Sequence, residues 1–160
     1  QSLNSSFAGF DQTEAKLLSY STVPFTAIRL GLQVGSQLKW LVVPYSAKSL
    51  HAVIADGKYR ATSVGRTKWK SLIGGSSLQV NCNREGFNAR VGSVYAMARI
   101  GIISNNENHC YTPDSRIGFG TGGSVCSQDS GNTCGNSASK SCLADKGSVN
   151  HKAFGYVMVR

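Results

Sequence analysis

The placement of its cysteines constrains the fold of this chain more than any other feature. Four of the five fall within residues 104–150, and the fifth lies upstream. They are Cys82, Cys110, Cys126, Cys134 and Cys142. The same segment carries four of the eight acidic residues and shows almost no apolar periodicity. A compact domain rarely contains so long an irregular stretch unless it is cross-linked or functional. We therefore expect residues 104–150 to form disulfide-stapled loops that carry the binding chemistry.

The odd number of cysteines predicts two internal bridges and one remaining thiol. The sequence has no Cys-x-x-Cys pair, and its Cys and His spacing fits no zinc finger or ribbon. The remaining cysteine either forms an intermolecular disulfide or stays free. We favour a disulfide-linked homodimer, and the sequence leaves open which cysteines pair.

The length of the chain predicts one domain, residues 1–160, with a real core. Abundant Gly, Ser and Asn, together with only 16% charged residues, favour a loop-rich β protein. The chain starts at Gln1 rather than Met and carries the glycosylation sequon Asn4-Ser5-Ser6. It has no apolar run of the ~20 residues that a membrane helix needs. These features predict a mature, secreted protein that does not insert into membranes.

The net charge of +9 raises two other classes of partner, nucleic acids and membrane surfaces. The basic residues are scattered, however, and their densest run, Arg60 to Lys70, contains no RNA- or DNA-binding motif. We expect a cationic protein surface and no nucleic-acid partner.

We expect residues 1–21 to form an N-terminal arm that docks through Phe7 and Phe10, with a helix-compatible patch at 12–18. Alternating apolar residues predict the next elements. A strand from Phe25 places Ile28, Leu30 and Leu32 on one face. Gly35-Ser36 makes a hairpin turn into a second strand, which starts at Leu38 and is ended by Pro44.

The rest of the chain predicts a short helix and three more strands. The helix covers 46–55 and is capped by Ser46. The strands cover 77–82, 94–103 and 153–159. The predicted fold is mainly β with short helices, an α+β protein. Its twisted β core combines the early strands, the 94–103 strand and the C-terminal strand, with helices and long stapled loops on one side.

The stapled segment is rich in the hard oxygen ligands that calcium (Ca²⁺) prefers. Calcium takes about 6–8 oxygens from carboxylates, amides, carbonyls and water. The candidate ligands are Asn106, Glu107, Asp114, Asp129 and Asp145. The alternative is that these Asn and Asp residues simply make turns.

The same segment offers groups suited to a sugar. Amides and carboxylates bind hydroxyls, and an aromatic ring covers the C–H face. The candidate sugar-binding residues are Asn105, Asn108, His109, Tyr111 and Tyr59. For the two tyrosines, packing in the core is the alternative.

Catalytic signatures are missing from the sequence. It has no G-x-S-x-G elbow, no recognisable carboxylate pair and no H-E-x-x-H. His51 lies among apolar residues and is expected to be structural. The IGFGTGG run from Ile117 lacks the Lys-Ser/Thr ending of a P-loop. We therefore predict a protein that is not an enzyme.

Four stretches together resemble a known group of proteins: NNENHC, DSRIGFGTGG, DSGNTCGN and the closing KAFGYVMVR. They are similar to secreted fibrinogen-related domains of cnidarians and, more distantly, to intelectins (X-type lectins). The likeness covers residues 98–160 well and extends over 54–88 for the cnidarian relatives. The resemblance is strongest to the calcium-dependent galactose-binding lectins of sea anemones. The resemblance implies a fibrinogen-related, intelectin-like fold and binding of terminal galactose.

The resemblance also implies roles for individual residues. It places Asn106 near the ion, draws further ligands from residues 111–114 and makes Asp129 the acid beyond the Ile-Gly-rich loop. Two features depart from intelectins. Asp114 stands where their histidine ligand would be, and no aromatic pair matches theirs near Ala144. Galactose is therefore implied only by the sea-anemone lectins.

These observations predict a secreted, calcium-dependent lectin that binds galactose-terminated glycans and cross-links them as a dimer. Two other classes remain open. One is a secreted structural or adhesive matrix protein, in which the loops are stapled and any calcium is structural. The other is a cationic, membrane-active, toxin-like protein.

Overall fold

The computed structural model describes residues 12–160, so the predicted docking of Phe7 and Phe10 lies outside the described residues. Strands make up 46% of the structure and helices 12%, which confirms a mainly β protein with short helices. The strands form a three-stranded sheet, a six-stranded sheet and a small separate hairpin. All named strand pairs are antiparallel.

The three-stranded sheet has the order β11-β1-β2. Its strands are β1 (Phe25–Val34), β2 (Gln37–Ala47) and β11 (Phe154–Val159). The hairpin of β1 and β2 and the C-terminal strand are confirmed. The turn uses Gly35 at a φ of 57°, which glycine adopts without strain. The prediction that Pro44 ends the second strand is wrong, because β2 is an edge strand and tolerates a residue without an N–H.

The six-stranded sheet has the order β10-β9-β6-β5-β4-β3. Its strands are β3 (Arg60–Ala61), β4 (Asn81–Ala89), β5 (Met97–Asn105), β6 (Ser115–Gly122), β9 (Cys134–Ala138) and β10 (Val149–Lys152). The remaining hairpin joins β7 (Ser124–Val125) to β8 (Gln128–Asp129).

The segment 104–150 is less irregular than its sequence predicts, since it supplies β6, β9 and β10. Three glycines, Gly118, Gly120 and Gly122, hide β6, whereas β9 and β10 are short and mostly polar. A Cβ on Gly118 of β6 would collide with the backbone of Ile100 on β5, so the close approach of the two strands requires glycine there.

One core cluster joins the two sheets. Ile28, Leu30 and Leu32 of β1 are fully buried in it, together with residues of β5, β6 and Trp69. The early strands and the 94–103 region thus share one core, as predicted, but they belong to different sheets. They meet through side chains rather than through backbone hydrogen bonds.

The stretch 77–82 was predicted as a strand, but β4 begins only at Asn81. The backbone N–H groups before it bond to side chains instead of a neighbouring strand. Ser77 donates to Asn136 and Gln79 donates to Ser115. This irregular stretch lies against the loops of the candidate site.

The helices are short: α1 (Ser19–Thr22), α2 (Leu50–Ile54) and α3 (Arg66–Ser71), with a 3₁₀ turn at Lys140–Cys142. The cap of α2 is Ser49, whose hydroxyl accepts the N–H of Ala52 at 3.1 Å, and not Ser46, which lies in β2. Residues 12–18 form no helix. Within residues 12–160, we find no helix with the length and apolar character needed to cross a membrane.

Candidate functional site

Two disulfides tie the loops at one end of the six-stranded sheet. Cys82 bonds to Cys110 and Cys126 bonds to Cys142, with Cα–Cα distances of 5.1 and 5.8 Å. The first links the start of β4 to the loop after β5. The second links the β7–β8 hairpin to the 3₁₀ turn after β9. The predicted pair of internal bridges with one remaining thiol is confirmed.

The remaining thiol belongs to Cys134 at the start of β9. It is partly buried and packs against the core. Burial raises the pKa of the Cys134 thiol to about 11, so it stays protonated at neutral pH. Because the thiolate is the form that exchanges disulfides, this environment does not favour an intermolecular bond. The covalent dimer stays a prediction.

Two of the predicted metal ligands, exposed Glu107 and half-buried Asp114, lie near enough for the charge of Glu107 to act on Asp114, and we call them the acid pair. Asp114 is half-buried, and its Oδ1 accepts the backbone N–H of Cys126 at 3.3 Å. Burial raises the pKa of Asp114; hydrogen bonds from the Cys126 N–H and the Gln79 side chain oppose this rise, and the negative charge of Glu107 adds a smaller increase. Among the described residues, no Lys or Arg forms an ion pair with either acid.

Gln79 organises the floor beneath the acid pair. Its side chain is fully buried and donates to Asn106 Oδ1 at 3.1 Å and to the Cys142 carbonyl at 2.8 Å. Its Oε1 accepts the N–H of Asp114 at 3.0 Å. One amide thus joins both stapled loops. The sequence analysis missed Gln79, since a single Gln within a presumed strand carries no signal of its own.

Asn105, a predicted sugar-binding residue, is completely buried. Its Nδ2 donates to the carbonyl of His109 at 2.8 Å, and its Oδ1 accepts the N–H of Asn106 at 3.0 Å. Asn105 therefore shapes the turn that presents Glu107 and does not itself reach solvent.

The other three candidates from this loop are exposed. Asn108 lies at the surface, and Tyr111 is 72% exposed. The rings of His109 and Tyr111 stack with centroids 4.8 Å apart. The two rings form a small aromatic platform within the same stapled loop as Glu107.

Tyr59 does not belong to this group. It precedes β3, at the opposite edge of the six-stranded sheet from β10. The Arg84 guanidinium lies 3.8 Å above the ring of Tyr59, and the phenol donates to the Glu85 carbonyl at 2.9 Å. Its aromatic face is thus already covered, and the structure does not bring it to the acid pair.

Asp145 has a different environment from the acid pair, because it forms ion pairs. Its carboxylate forms ion pairs with Arg66, at 2.8 Å, and with Lys70, and it accepts the Leu78 N–H at 3.1 Å. Burial opposes ionisation, but the contacts with Lys70 and Arg66 hold the pKa of Asp145 well below its usual range. These contacts use the oxygens that a metal ion would need.

The β7–β8 hairpin and the β9–β10 strands enclose a pocket of about 390 Å³, which we call the hydroxyl pocket. Its polar lining is Gln128, Asp129, Ser130, Ser137, Ser139, Ser148 and Asn150. Three small apolar residues complete the wall. Asp129 is exposed here and accepts the N–H of Gly131 at 2.9 Å.

Internal hydrogen bonds hold the pocket lining in place. Asn150 accepts from Asn132 at 3.0 Å and donates to the Ser130 carbonyl at 3.0 Å. Behind them lies Arg116, fully buried, which donates to Ser130 Oγ at 2.7 Å and to the Asn132 carbonyl at 3.2 Å. Burial lowers the pKa of Arg116 to about 10, with Asp129 opposing. The sequence analysis missed this buried cation.

The β7–β8 hairpin connects the pocket to the acid pair. Cys126, at its turn, donates to Asp114, while Val125, Gln128 and Asp129 form one wall of the hydroxyl pocket. The six-residue segment 124–129 therefore contacts Asp114 and also forms part of the hydroxyl pocket.

A metal site here would depend on more than acids. Within the described part of the chain, no group of three or more His, Cys, Asp and Glu side chains converges. Gln79, which accepts from Asp114, also bonds to two further oxygens, Asn106 Oδ1 and the Cys142 carbonyl of the stapled loops. Such a mixed set of ligands is chemically suited to calcium rather than to zinc.

Comparison with known proteins finds no match for this chain among family models, curated proteins or solved structures.

Proposed function

We propose that this chain is a secreted, calcium-dependent lectin for galactose-terminated glycans, with a fold related to fibrinogen-related domains and intelectins. The observation that carries the proposal is the acid pair. Asp114 is half-buried beside Glu107 without a cationic partner, in a protein of net charge +9. It lies against the hairpin that also walls the hydroxyl pocket.

The charge balance supports a cation at the acid pair. Two other acids have cationic partners: Asp56 pairs with Arg60, and Asp145 pairs with Arg66 and Lys70. Buried Glu85 has none among the described residues, but it accepts four hydrogen bonds from neutral donors. Burial disfavours the charged form of Asp114, and the negative charge of Glu107 adds to this penalty. A divalent cation would reverse both penalties. Calcium fits because it accepts amide and carbonyl oxygens in irregular geometry, such as Asn106 Oδ1 offers.

The hydroxyl pocket supports a polyhydroxylated ligand. Its serine hydroxyls, two amides and one carboxylate provide both donors and acceptors for sugar hydroxyls. The His109–Tyr111 platform adds an exposed ring for the C–H face of a hexose. An ion that takes two vicinal hydroxyls as ligands would separate galactose from an epimer that moves one of them.

A glycan array tests the proposal directly. The purified protein is applied with calcium and again with excess EDTA, and glucose-terminated glycans serve as the epimer control. We expect galactose-terminated signals that disappear in EDTA. Galactose signals that persist in EDTA would remove calcium from the mechanism. A blank array, combined with a calcium-dependent melting temperature, would favour the matrix-protein alternative.

The toxin-like alternative has its own readout. Leakage of dye from anionic vesicles, abolished by moderate salt, would favour it over the lectin. If the chain is a lectin, we expect no leakage with or without calcium.

A further inference from the structure

Among the described residues, no strand pairs with the outer edge of β11 in the three-stranded sheet. Arg160 and Ala27 exchange two hydrogen bonds, N–H of Arg160 to the Ala27 carbonyl at 2.9 Å and N–H of Ala27 to the Arg160 carbonyl at 3.1 Å. Bonded pairs alternate along an antiparallel ladder. Met158 therefore directs its backbone groups toward β1, whereas Gly155, Val157 and Val159 direct theirs away from the sheet.

Within residues 12–160, no backbone or side-chain hydrogen bond reaches the outward groups of Val157 and Val159. The Val157 side chain is also partly uncovered. It faces the core side, opposite the fully buried Leu30, yet it is 37% exposed. Nothing among the described residues covers the sheet beyond it.

The open edge lacks the usual protection against pairing. Natural edge strands are blunted by proline, by charged residues or by short length. The other described edges follow this rule: β2 carries Lys39 and Pro44, β3 has two residues, and β10 carries Lys152. Strand β11, Phe-Gly-Tyr-Val-Met-Val, contains neither proline nor charge.

We propose that β11 pairs with β11 of a second copy of this chain, antiparallel, to form a non-covalent dimer. The two-fold axis passes through Val157. Each Val157 then faces its twin, and Gly155 faces Val159 of the second copy, with two backbone hydrogen bonds per facing pair. The two sheets join into one continuous sheet of six strands.

Self-pairing fits the side chains as well as the backbone. Two facing valines are favourable neighbours on a pleated sheet, and a two-fold interface must be self-complementary. The same register places Arg160 opposite Phe154 of the second copy, so no like charges face each other despite the net charge of +9. A guanidinium beside an aromatic ring is attractive.

The dimer requires no disulfide and does not depend on the proposed lectin activity. Cys134 keeps its place in the core, with its thiol against Gly155 and Phe119. If the chain does bind sugars, the interface supplies two sites per particle and the avidity that follows from them.

Molar mass in solution tests the interface. The full chain, with and without dithiothreitol under native conditions, is measured by size-exclusion chromatography with light scattering, together with three variants. We expect dimers for wild type, Cys134→Ser and Val42→Lys, the last being a matched change at a 51% exposed valine on the opposite edge strand. We expect Val157→Lys to be a monomer with an unchanged circular dichroism spectrum, because it sets two lysines face to face.

Hydrogen exchange on the wild type keeps the test independent of any variant. We expect the amides of Val157 and Val159 to be protected at concentrations where the mass is that of a dimer and to lose protection on dilution. The amide of Met158, bonded to β1, should stay protected throughout. A monomeric wild type, a dimer that survives in Val157→Lys, or a dimer lost in Cys134→Ser would overturn the proposal.

Discussion

The backbone N–H of Cys126 donates to the carboxylate of Asp114 across 3.3 Å, so the candidate site touches a disulfide directly. Cys126 lies at the turn of the β7–β8 hairpin with a φ of 54°, and its bond to Cys142 fixes the hairpin against the next loop. The position of the half-buried acid is therefore set by a covalent tie distant in sequence. Four predictions follow from this arrangement and from the charges around it.

Replacing Asp114 with Asn should weaken calcium binding while preserving the fold. The amide keeps the shape and can still accept from Cys126, but it removes the charge that the ion would neutralise. We expect calcium affinity to fall at least tenfold, or about 1.4 kcal/mol. Isothermal titration with calcium measures this. Asp56→Asn, at an exposed ion pair, is the control and should bind as wild type does. Equal affinity in Asp114→Asn and wild type would exclude Asp114 as a ligand.

The raised pKa of Asp114 predicts how stability in EDTA depends on pH. A raised pKa means that the folded state disfavours the charged carboxylate. The stabilising contribution of the neutral form is thus complete below the ordinary pKa of about 3.9 and is lost as pH rises through the raised value. The unfolding free energy of wild type minus that of Asp114→Asn should therefore decrease as pH rises, as measured by urea titration. An increase of this quantity with pH would contradict the raised pKa. Calcium should bind more weakly over the range in which Asp114 is protonated.

Asp145→Asn should reduce stability without affecting calcium. Its pKa is depressed, so its contribution is present above the ordinary value of about 3.9 and is lost on acidification. The Asp145 side chain is 22% exposed, so its ion pairs are intermediate between surface and buried ones. We expect the unfolding free energy to fall by about 1–3 kcal/mol at neutral pH. Chemical denaturation gives the stability, and calcium titration of the folded variant gives the affinity. A loss of calcium binding without a loss of stability would return Asp145 to the ligand set.

Removing the disulfide between Cys126 and Cys142 should loosen the site and the hairpin together. The two cysteines are 16 residues apart, for which chain-entropy arguments give about 3 kcal/mol. We expect the double variant Cys126→Ser with Cys142→Ser to lose about this much and to bind calcium more weakly. Cys134→Ser, which breaks no bridge, is the matched control. Unchanged exchange rates for the amides of residues 124–129 would show that the hairpin does not need the tie.

Several features could be predicted from the sequence because their signals are local. The alternation of Ile28, Leu30 and Leu32 predicts a strand with one buried face, and Gly35 marks its turn. The odd cysteine count predicts two bridges and one thiol. The density of acids and amides after residue 104 places Glu107 and Asp114 in one loop region.

Other features depend on contacts between residues distant in sequence, and they could not be predicted. Strand β6 is rich in glycine, and β9 is short with mostly small or polar residues, so neither shows a clear apolar alternation and only their neighbours reveal them. Asp114 and Asp145 look equivalent as candidate ligands. Tertiary packing alone brings Lys70 and Arg66 to one of them and leaves the other without a cation.

The sequence by itself determined the secondary-structure class, the hairpin, the number of bridges and the region rich in ligands, because periodicity, composition and counts are properties of the chain. Only the tertiary structure decided which acids have cationic partners, where Gln79 joins the stapled loops and which edge of β11 pairs with no described strand. Each of these depends on distances between groups far apart in sequence. Electrostatic compensation and hydrogen-bond pairing vary steeply with such distances.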